Sequence, residues 1–140
     1  MDLNNSNTSI AGINTNTEGN TAFLKRGDIV KVNNPISEGT DTNRMAGIHY
    51  AVVVSNNKGN INSNTVIVVY ATGGASRLDL PCNYPIRHYG SLPEPVGTIL
   101  GNQITTLDQK NIISVIDHLR PEDEIGFNRA LKASLALEEY

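Results

Sequence analysis

Two apolar stretches, Tyr50–Ser55 (YAVVVS) and Thr65–Ala71 (TVIVVYA), flank the polar stretch Asn56–Asn64 (NNKGNINSN). Both apolar stretches have the length and the β-branched composition of strands. The residues between them are of the types that form turns. The sequence therefore predicts an antiparallel hairpin, and its nearly continuous apolar strands are typical of central strands that are buried on both faces.

The register of this hairpin brings two polar residues to its open end. If Ser55 stands opposite Val66, the same register places His49 opposite Thr72. Directly opposed antiparallel residues hold their Cβ atoms about 4.5–5.5 Å apart. We therefore predict an imidazole and a hydroxyl side by side at one end of a stiff apolar scaffold, which is a plausible start for a small active site.

The other predicted strands are short, and some are interrupted by proline. Proline is tolerated in an edge strand but not in a central one. Strands are expected at Asp28–Val32, at Ile86–Tyr89 as an edge strand, at Gly97–Leu100 and at Gln103–Thr105.

The C-terminal third changes to a helical period. Asp108 is a suitable N-cap, and apolar residues recur at helical spacing up to Leu119. Pro121 ends this predicted helix and begins a second one. The apolar stripe expected on this second helix is Ile125, Leu131 and Leu135, with Phe127, Ala130 and Leu137 beside it. Strands followed by helices indicate an α+β chain that is mostly β, with an antiparallel sheet or barrel and C-terminal helices to one side.

Length and composition are typical of one small domain. The chain has 140 residues, and its Asn/Thr-rich segment 1–22 lacks the apolar residues to fold, so we predict a disordered tail and a domain over 23–140. No apolar run is long enough to span a membrane, and no signal peptide is recognisable, which favours a cytoplasmic protein. Cys82 is the only cysteine, and the three scattered histidines do not suggest a metal site.

The net charge of −3 argues against a protein that coats nucleic acid along its whole surface. The charges are unevenly distributed, because residues 25–60 hold five basic and three acidic residues, whereas residues 101–140 hold four basic and seven acidic ones. This asymmetry permits a local phosphate-binding face. Ordinary solvated surface is the alternative explanation.

Several motifs, taken in order, resemble the MazF/PemK family of bacterial toxin ribonucleases. The resemblance covers roughly 115 residues, and no single motif is decisive by itself. The motifs are Lys25–Val30 (KRGDIV), Ala51–Asn57 (AVVVSNN), Thr65–Thr72 (TVIVVYAT), Gly101–Asp108 (GNQITTLD) and Leu131–Leu137 (LKASLAL).

The resemblance implies an SH3-like antiparallel β-barrel and a two-fold homodimer. It implies a toxin of a type II toxin–antitoxin system, an mRNA interferase that cleaves single-stranded RNA without metal or cofactor and that a partner antitoxin inhibits. Two alternatives stay open. One is a toxin of the same fold that poisons DNA gyrase, and the other is a degenerate member that acts only as a binding or regulatory module.

The functional pattern of the family is matched in part. Its members often carry an acidic-Gln pair in the first loop and Arg-Pro at the start of the first hairpin strand. Counting back from AVVVS, His49 takes the Arg position and Tyr50 the Pro position, while Arg44 and Met45 fall near the acidic and Gln positions. The threonine that ends the second hairpin strand is retained as Thr72.

Our hypothesis for catalysis uses His49, Thr72 and Arg44. Histidine serves as an acid or a base at neutral pH, a hydroxyl can stabilise charge on a phosphate oxygen, and a guanidinium matches a phosphate. The alternatives are a loop histidine without chemistry, a threonine bonded to its own backbone, and a solvated loop charge.

The RNA-binding candidates are Lys25, Arg26, Tyr50, Arg77 and Gln103. Lys25 and Arg26 could bind phosphates or mark a solvated edge. Tyr50 could stack on a base or belong to the core. Gln103 matches a recurring Gln of the family and could instead satisfy backbone groups.

Overall fold

The computed structural model describes residues 23–35 and 47–137. They form one six-stranded antiparallel sheet in the order β4-β5-β3-β2-β1-β6, with two α-helices. The predicted tail over residues 1–22 lies outside the described residues. The elements are β1 (Asp28–Asn34), β2 (Gly47–Val53), α1 (Asn57–Asn62), β3 (Thr65–Gly73), β4 (Asn83–Arg87), β5 (Val96–Asp108), a 3₁₀ turn (Gln109–Asn111), β6 (Ile112–His118) and α2 (Pro121–Ser134).

The predicted hairpin is confirmed, including its register. β2 pairs with β3 from Tyr50 opposite Ala71 to Val53 opposite Val68. Both strands lie in the middle of the sheet. The connection is more than a turn, because it contains α1, and Asn56 caps this helix by accepting a hydrogen bond from the Gly59 amide.

Side chains on the two faces of the sheet form two separate apolar clusters. Alternation along the central strands sends Ala51 and Tyr70 to one face and Val52 and Val69 to the other. The first cluster also holds Leu24, Leu107 and Ile112, and the second also holds Ile99, Leu119, Phe127 and Leu131. Burial on both faces explains why residues 51–53 and 68–69, in the middle of these strands, are all apolar.

The sheet curls around the first cluster. A single 3₁₀ turn joins β5 to β6, although three strands separate them in the sheet order. Leu107 at the end of β5 and Ile112 at the start of β6 consequently pack in the same cluster. The mostly β, antiparallel fold class is thereby confirmed, with β4 and β6 as the outer strands of the described sheet.

The helix expected from Asp108 to Leu119 is wrong. This segment forms the 3₁₀ turn and β6, which pairs with β1 from Asp28 opposite His118 to Val32 opposite Ile112. Two register shifts interrupt the pairing, so the apolar residues do not alternate in the regular pattern of a strand. Long-range pairing with β1 overrides the local helical spacing.

The remaining strands agree with the sequence in position and differ in extent. The expected edge strand at Ile86–Tyr89 is confirmed as an outer strand, although β4 covers Asn83–Arg87. The two short strands expected at Gly97–Leu100 and Gln103–Thr105 are parts of the single strand β5.

Helix α2 begins at Pro121, as predicted, but buries a different stripe. Phe127, Ala130 and Leu131 are buried, whereas Ile125 is 63% exposed and Leu135 is 53% exposed. Phe127 and Leu131 pack against the sheet face opposite to Tyr70. Of the expected stripe only Leu131 is buried, whereas Phe127 and Ala130, which were expected beside the stripe, belong to the buried face.

Candidate functional site

His49 and Thr72 lie near the open end of the hairpin. Continuing the β2–β3 register by one residue from Tyr50 opposite Ala71 places His49 opposite Thr72. His49 also pairs with Val32 of β1, and Thr72 pairs with Thr98 of β5. Both residues are only half-buried. The backbone thus fixes both of them while leaving part of each accessible.

Tyr70 lies against His49 on the same face of the sheet. The two ring centroids are 5.7 Å apart, and the ring planes make an angle of 70°. Thr72 follows Tyr70 by two residues, so strand alternation directs its side chain to this same face. An aromatic ring, an imidazole and a hydroxyl are therefore grouped at one strand end.

The phenol of Tyr70 is buried beneath this group. Burial raises the pKa of Tyr70, and the side chain of the neighbouring Asn34 lowers it by a smaller amount. Asn34 is itself buried, at the end of β1. The phenol therefore stays protonated at neutral pH. The side chains of Tyr70 and Asn34 are then both neutral and do not repel a phosphate.

A cavity opens on the other face of the same strand end. Its volume is about 250 Å³. Its lining residues are Tyr50, Ala71, Thr72, Gly73, Ile86, Leu92, Pro93, Glu94, Val96 and Gly97. His49 is not among them, because Tyr50 and His49 are successive residues and point to opposite faces. Thr72 is thus shared between the cavity wall and the face that carries His49.

Lys25 and Arg26 lie at the opposite end of β2 from His49. The amide of Gly27 donates to the carbonyl of Val53, and Nε of Arg26 donates to the carbonyl of Val54. Val54 lies five residues along the chain from His49, which corresponds to about 17 Å in a strand. The structure therefore does not bring these two basic residues together with His49 and Thr72.

The basic side chain predicted at Arg77 is already paired. Its guanidinium donates two hydrogen bonds to the carboxylate of Asp79, at 2.9 and 2.8 Å. The bond from Arg77 lowers the pKa of Asp79, and Asp79 raises the pKa of Arg77. Because the two charges largely compensate each other, binding of a phosphate by Arg77 requires this exposed pair to open.

The two remaining candidates contribute less to the geometry. Gln103 is half-buried in β5, between Ile99 and Ile104, where the pairing of β5 with β3 is irregular. Arg44 lies outside the described residues, as does Met45.

Two observations on the described residues bear on metal binding and on membrane insertion. Within residues 23–35 and 47–137, no three His, Cys, Asp or Glu side chains are grouped in a way that could hold a metal ion. In the same part of the chain, neither helix has both the length and the apolar character that crossing a membrane requires.

Sequence reasoning missed three parts of this site. The sequence predicts Tyr70 in a strand but does not mark it as a site residue. Its spacing of two residues from Thr72 was the available signal, because residues two apart in a strand share a face. Glu94 and Leu92 lie between prolines in a segment without periodicity. No local pattern indicated that this segment folds back over Gly73, so the cavity could be found only in three dimensions.

The fold and its strand-end site define a class of small antiparallel β proteins with a C-terminal helix. A sequence profile described as the PemK-like, MazF-like toxin of type II toxin–antitoxin systems matches residues 25–135. The chain belongs to this family. The match begins two residues after the first described residue, Phe23, and ends two residues before the last, Leu137.

Individual relatives agree with this assignment. The chain is 28% identical over 118 residues to a protein named endoribonuclease MazF from Staphylococcus epidermidis, covering 84% of this chain and 96% of the relative. Two solved structures share its fold. They are an endoribonuclease in complex with its cognate antitoxin from a mycobacterial species (TM-score 0.65, 20% identity, covering 84% of this chain and 99% of that one) and MazF from Deinococcus radiodurans (TM-score 0.64, 14% identity, covering 82% and 98%).

Proposed function

We propose that this toxin is a cytoplasmic, sequence-selective endoribonuclease that cleaves single-stranded RNA, such as mRNA, without a metal ion or cofactor. Membership of the toxin family and the similarity to a protein named endoribonuclease MazF support this proposal. The observation that supports it is the β2–β3 register, whose last pair is Tyr50 opposite Ala71, so that His49 and Thr72 are the next residues at a half-buried strand end.

The proposed reaction is attack of a ribose 2′-hydroxyl on the adjacent phosphorus. His49 accepts the proton of the 2′-hydroxyl while the O2′–P bond forms. The P–O5′ bond then breaks, and the departing O5′ takes up a proton from solvent, to which His49 later releases the proton that it accepted. The products are a 2′,3′-cyclic phosphate and a 5′-hydroxyl, and the reaction consumes neither a water molecule nor a metal ion.

Thr72 and Arg44 stabilise the charge that develops on phosphorus. The hydroxyl of Thr72 donates to a non-bridging phosphate oxygen, and a fixed donor of this kind lowers the barrier most where charge grows in the transition state. Arg44 supplies the positive charge that the family places at the position of His49. A neutral phenol under the site adds no opposing charge.

The decisive experiment is incubation of the purified chain with an RNA of mixed sequence in excess EDTA. Cleavage that leaves 2′,3′-cyclic phosphate and 5′-hydroxyl ends is expected. Thr72→Val should slow cleavage by about 10²–10³-fold, because one donor to the phosphate is lost. The matched control is Thr106→Val, at an exposed position in β5, which should cleave at the rate of the unaltered chain.

Three results would contradict the proposal. RNA that remains intact, together with growth arrest on expression, would assign the chain to toxins that poison gyrase. Intact RNA without growth arrest would assign it to degenerate binding or regulatory members. Cleavage that EDTA abolishes would refute the metal-independent reaction.

The proposal includes two protein partners. We infer a homodimer and inhibition by a cognate antitoxin. The similarity to an endoribonuclease solved in complex with its cognate antitoxin supports the second of these. Exposed apolar residues at the C-terminal side of the fold provide a surface that association could cover.

A further inference from the structure

We propose that the cavity beside Thr72 binds one base of the RNA substrate, next to the cleaved phosphate, and that Glu94 selects guanine there and disfavours uracil. This inference rests on the proposed function, and it assigns a base preference to the site. The chemical class of the ligand is a purine with adjacent N–H donors on its pairing edge.

The size of the cavity suits a single planar base. Pockets for drug-sized ligands usually enclose about 300–1,000 Å³. The volume of about 250 Å³ lies just below that range and leaves no room for a complete nucleotide. The ribose and the phosphate would therefore remain outside, where they can reach Thr72 at the strand end.

The walls of the cavity provide the apolar contacts that a base requires. Ala71, Ile86 and Leu92 line it, and Tyr50 adds an aromatic ring. Unpaired RNA bases are bound by stacking on aromatic side chains and by hydrogen bonds to their pairing edges. Tyr50 stands where the family often has proline, so this chain offers a stacking surface that proline lacks.

Among the lining residues that the structure describes, Glu94 is the only one with a carboxylate. An ionised carboxylate only accepts hydrogen bonds, through two oxygens. Guanine presents two adjacent donors, N1–H and the amino group, which match two oxygens. Uracil presents one N–H between two carbonyl oxygens. When this N–H donates to the carboxylate, the two carbonyl oxygens lie close to the carboxylate oxygens, which repel them. The chemistry of Glu94 therefore favours guanine and disfavours uracil.

Glycine at position 73 gives the Glu94 side chain its place on the cavity wall. A Cβ added to Gly73 would lie 3.0 Å from Cγ of Glu94. The side chain of Glu94 therefore passes directly over the end of β3, one residue from Thr72. The end of β3 and the side chain of Glu94 therefore lie between the base cavity and the proposed position of the phosphate at Thr72.

The first test measures binding by the full chain without cleavage. Guanosine 5′-monophosphate and uridine 5′-monophosphate are titrated into labelled protein, and NMR shifts of Tyr50, Leu92 and Ile86 are followed. Guanosine monophosphate should bind at least tenfold more tightly. Glu94→Gln should reduce this ratio by about tenfold, while Glu122→Gln, an exposed carboxylate on α2, should leave it unchanged.

The second test measures cleavage of RNAs that differ at one position beside the cleaved bond. A guanine at that position should give at least tenfold faster cleavage than uracil, and Glu94→Gln should reduce the difference. Gly73→Ala, which removes no functional group, should weaken binding of guanosine monophosphate by crowding Glu94.

The outcomes separate this inference from the function on which it rests. If RNA is cleaved but the base preference is absent, or is the same in Glu94→Gln, the inference is overturned and the proposed function stands. Selective guanosine monophosphate binding without RNA cleavage would refute the function. Shifts at the cavity with an apolar peptide but with neither nucleotide would overturn the inference and assign the cavity to a protein partner.

Discussion

Asp123 is the residue that attaches helix α2 to strand β4. Its carboxylate accepts hydrogen bonds from the hydroxyls of Tyr84 and Tyr89, and it is almost completely buried. The guanidinium of Arg120 lies 3.9 Å from the centre of the Tyr89 ring and 3.6 Å from the Asp123 carboxylate. Each buried polar atom of this cluster thus has a partner, as stable interiors require.

This cluster predicts a loss of stability at high pH. Burial, together with the bond to Asp123, raises the pKa of Tyr84 to about 12, and burial also raises the pKa of Tyr89. A phenol whose pKa is higher in the folded state stabilises the fold fully below its unfolded value of about 10, and this contribution is lost as the pH rises through 12. The free energy of unfolding should therefore fall between pH 10 and 12.

The measurement is urea unfolding at pH 8, 10, 11 and 12, for the unaltered chain and for Tyr84→Phe. The variant should be less stable at pH 8 and should lose less stability on going to pH 12. Parallel curves for the two proteins would contradict the assignment of the alkaline transition to Tyr84.

At the scale of elements, helix α2 lies close to strand β4 at Gly126. A Cβ added there would lie 2.7 Å from the hydroxyl oxygen of Tyr84. In contrast, a Cβ added to Gly59 in α1 would be 3.4 Å from its nearest atom, Oδ1 of Asn56, which is an ordinary contact. Helix propensity favours alanine at both positions by about 1 kcal/mol.

The two glycines therefore predict opposite responses to the same substitution. Gly126→Ala should lower the free energy of unfolding by about 1–2 kcal/mol, because overpacking outweighs helix propensity. Gly59→Ala should raise it by up to about 1 kcal/mol. Chemical denaturation measures both. Stabilisation by Gly126→Ala would show that α2 is not held so close to Tyr84.

Elements with strong local patterns were predictable, and elements that depend on distant partners were not. The hairpin register could be predicted because two apolar runs lie close together in the sequence and both have the composition of strands that are buried on two faces. Helix α2 was placed by Pro121, but its buried stripe was set by the shape of the sheet. Strand β6 has apolar residues at helical spacing, and only its pairing with β1 decides its conformation.

At the scale of the whole molecule, exposed apolar side chains remain at the C-terminal side of the fold. Ile125, Leu135 and Leu137 are 63%, 53% and 70% exposed. If association covers them, Leu135→Asp should shift the chain from dimer to monomer in light scattering. Leu78→Asp, which alters an exposed leucine in another part of the fold, should leave the mass unchanged. Equal masses for the unaltered chain and Leu135→Asp would exclude this surface from the proposed dimer.

The candidate site shows the same limit of sequence reasoning. His49 and Thr72 could be paired because one hairpin carries both. Arg26 could not be placed, because its side chain donates to Val54 at the far end of β2. The cavity requires β2, β3, β4 and the segment before β5 to meet, which no local pattern encodes.

The central claim is that His49 transfers the proton in RNA cleavage, and one measurement tests it most directly. The cleavage rate of a defined RNA in EDTA is compared for the unaltered chain, His49→Ala and His88→Asn. His88 is exposed with a backbone φ of 61°, which asparagine tolerates, so His88→Asn is the matched control. The account predicts a loss of about 10²–10⁴-fold for His49→Ala alone. Cleavage by a correctly folded His49→Ala protein at the unaltered rate would contradict it.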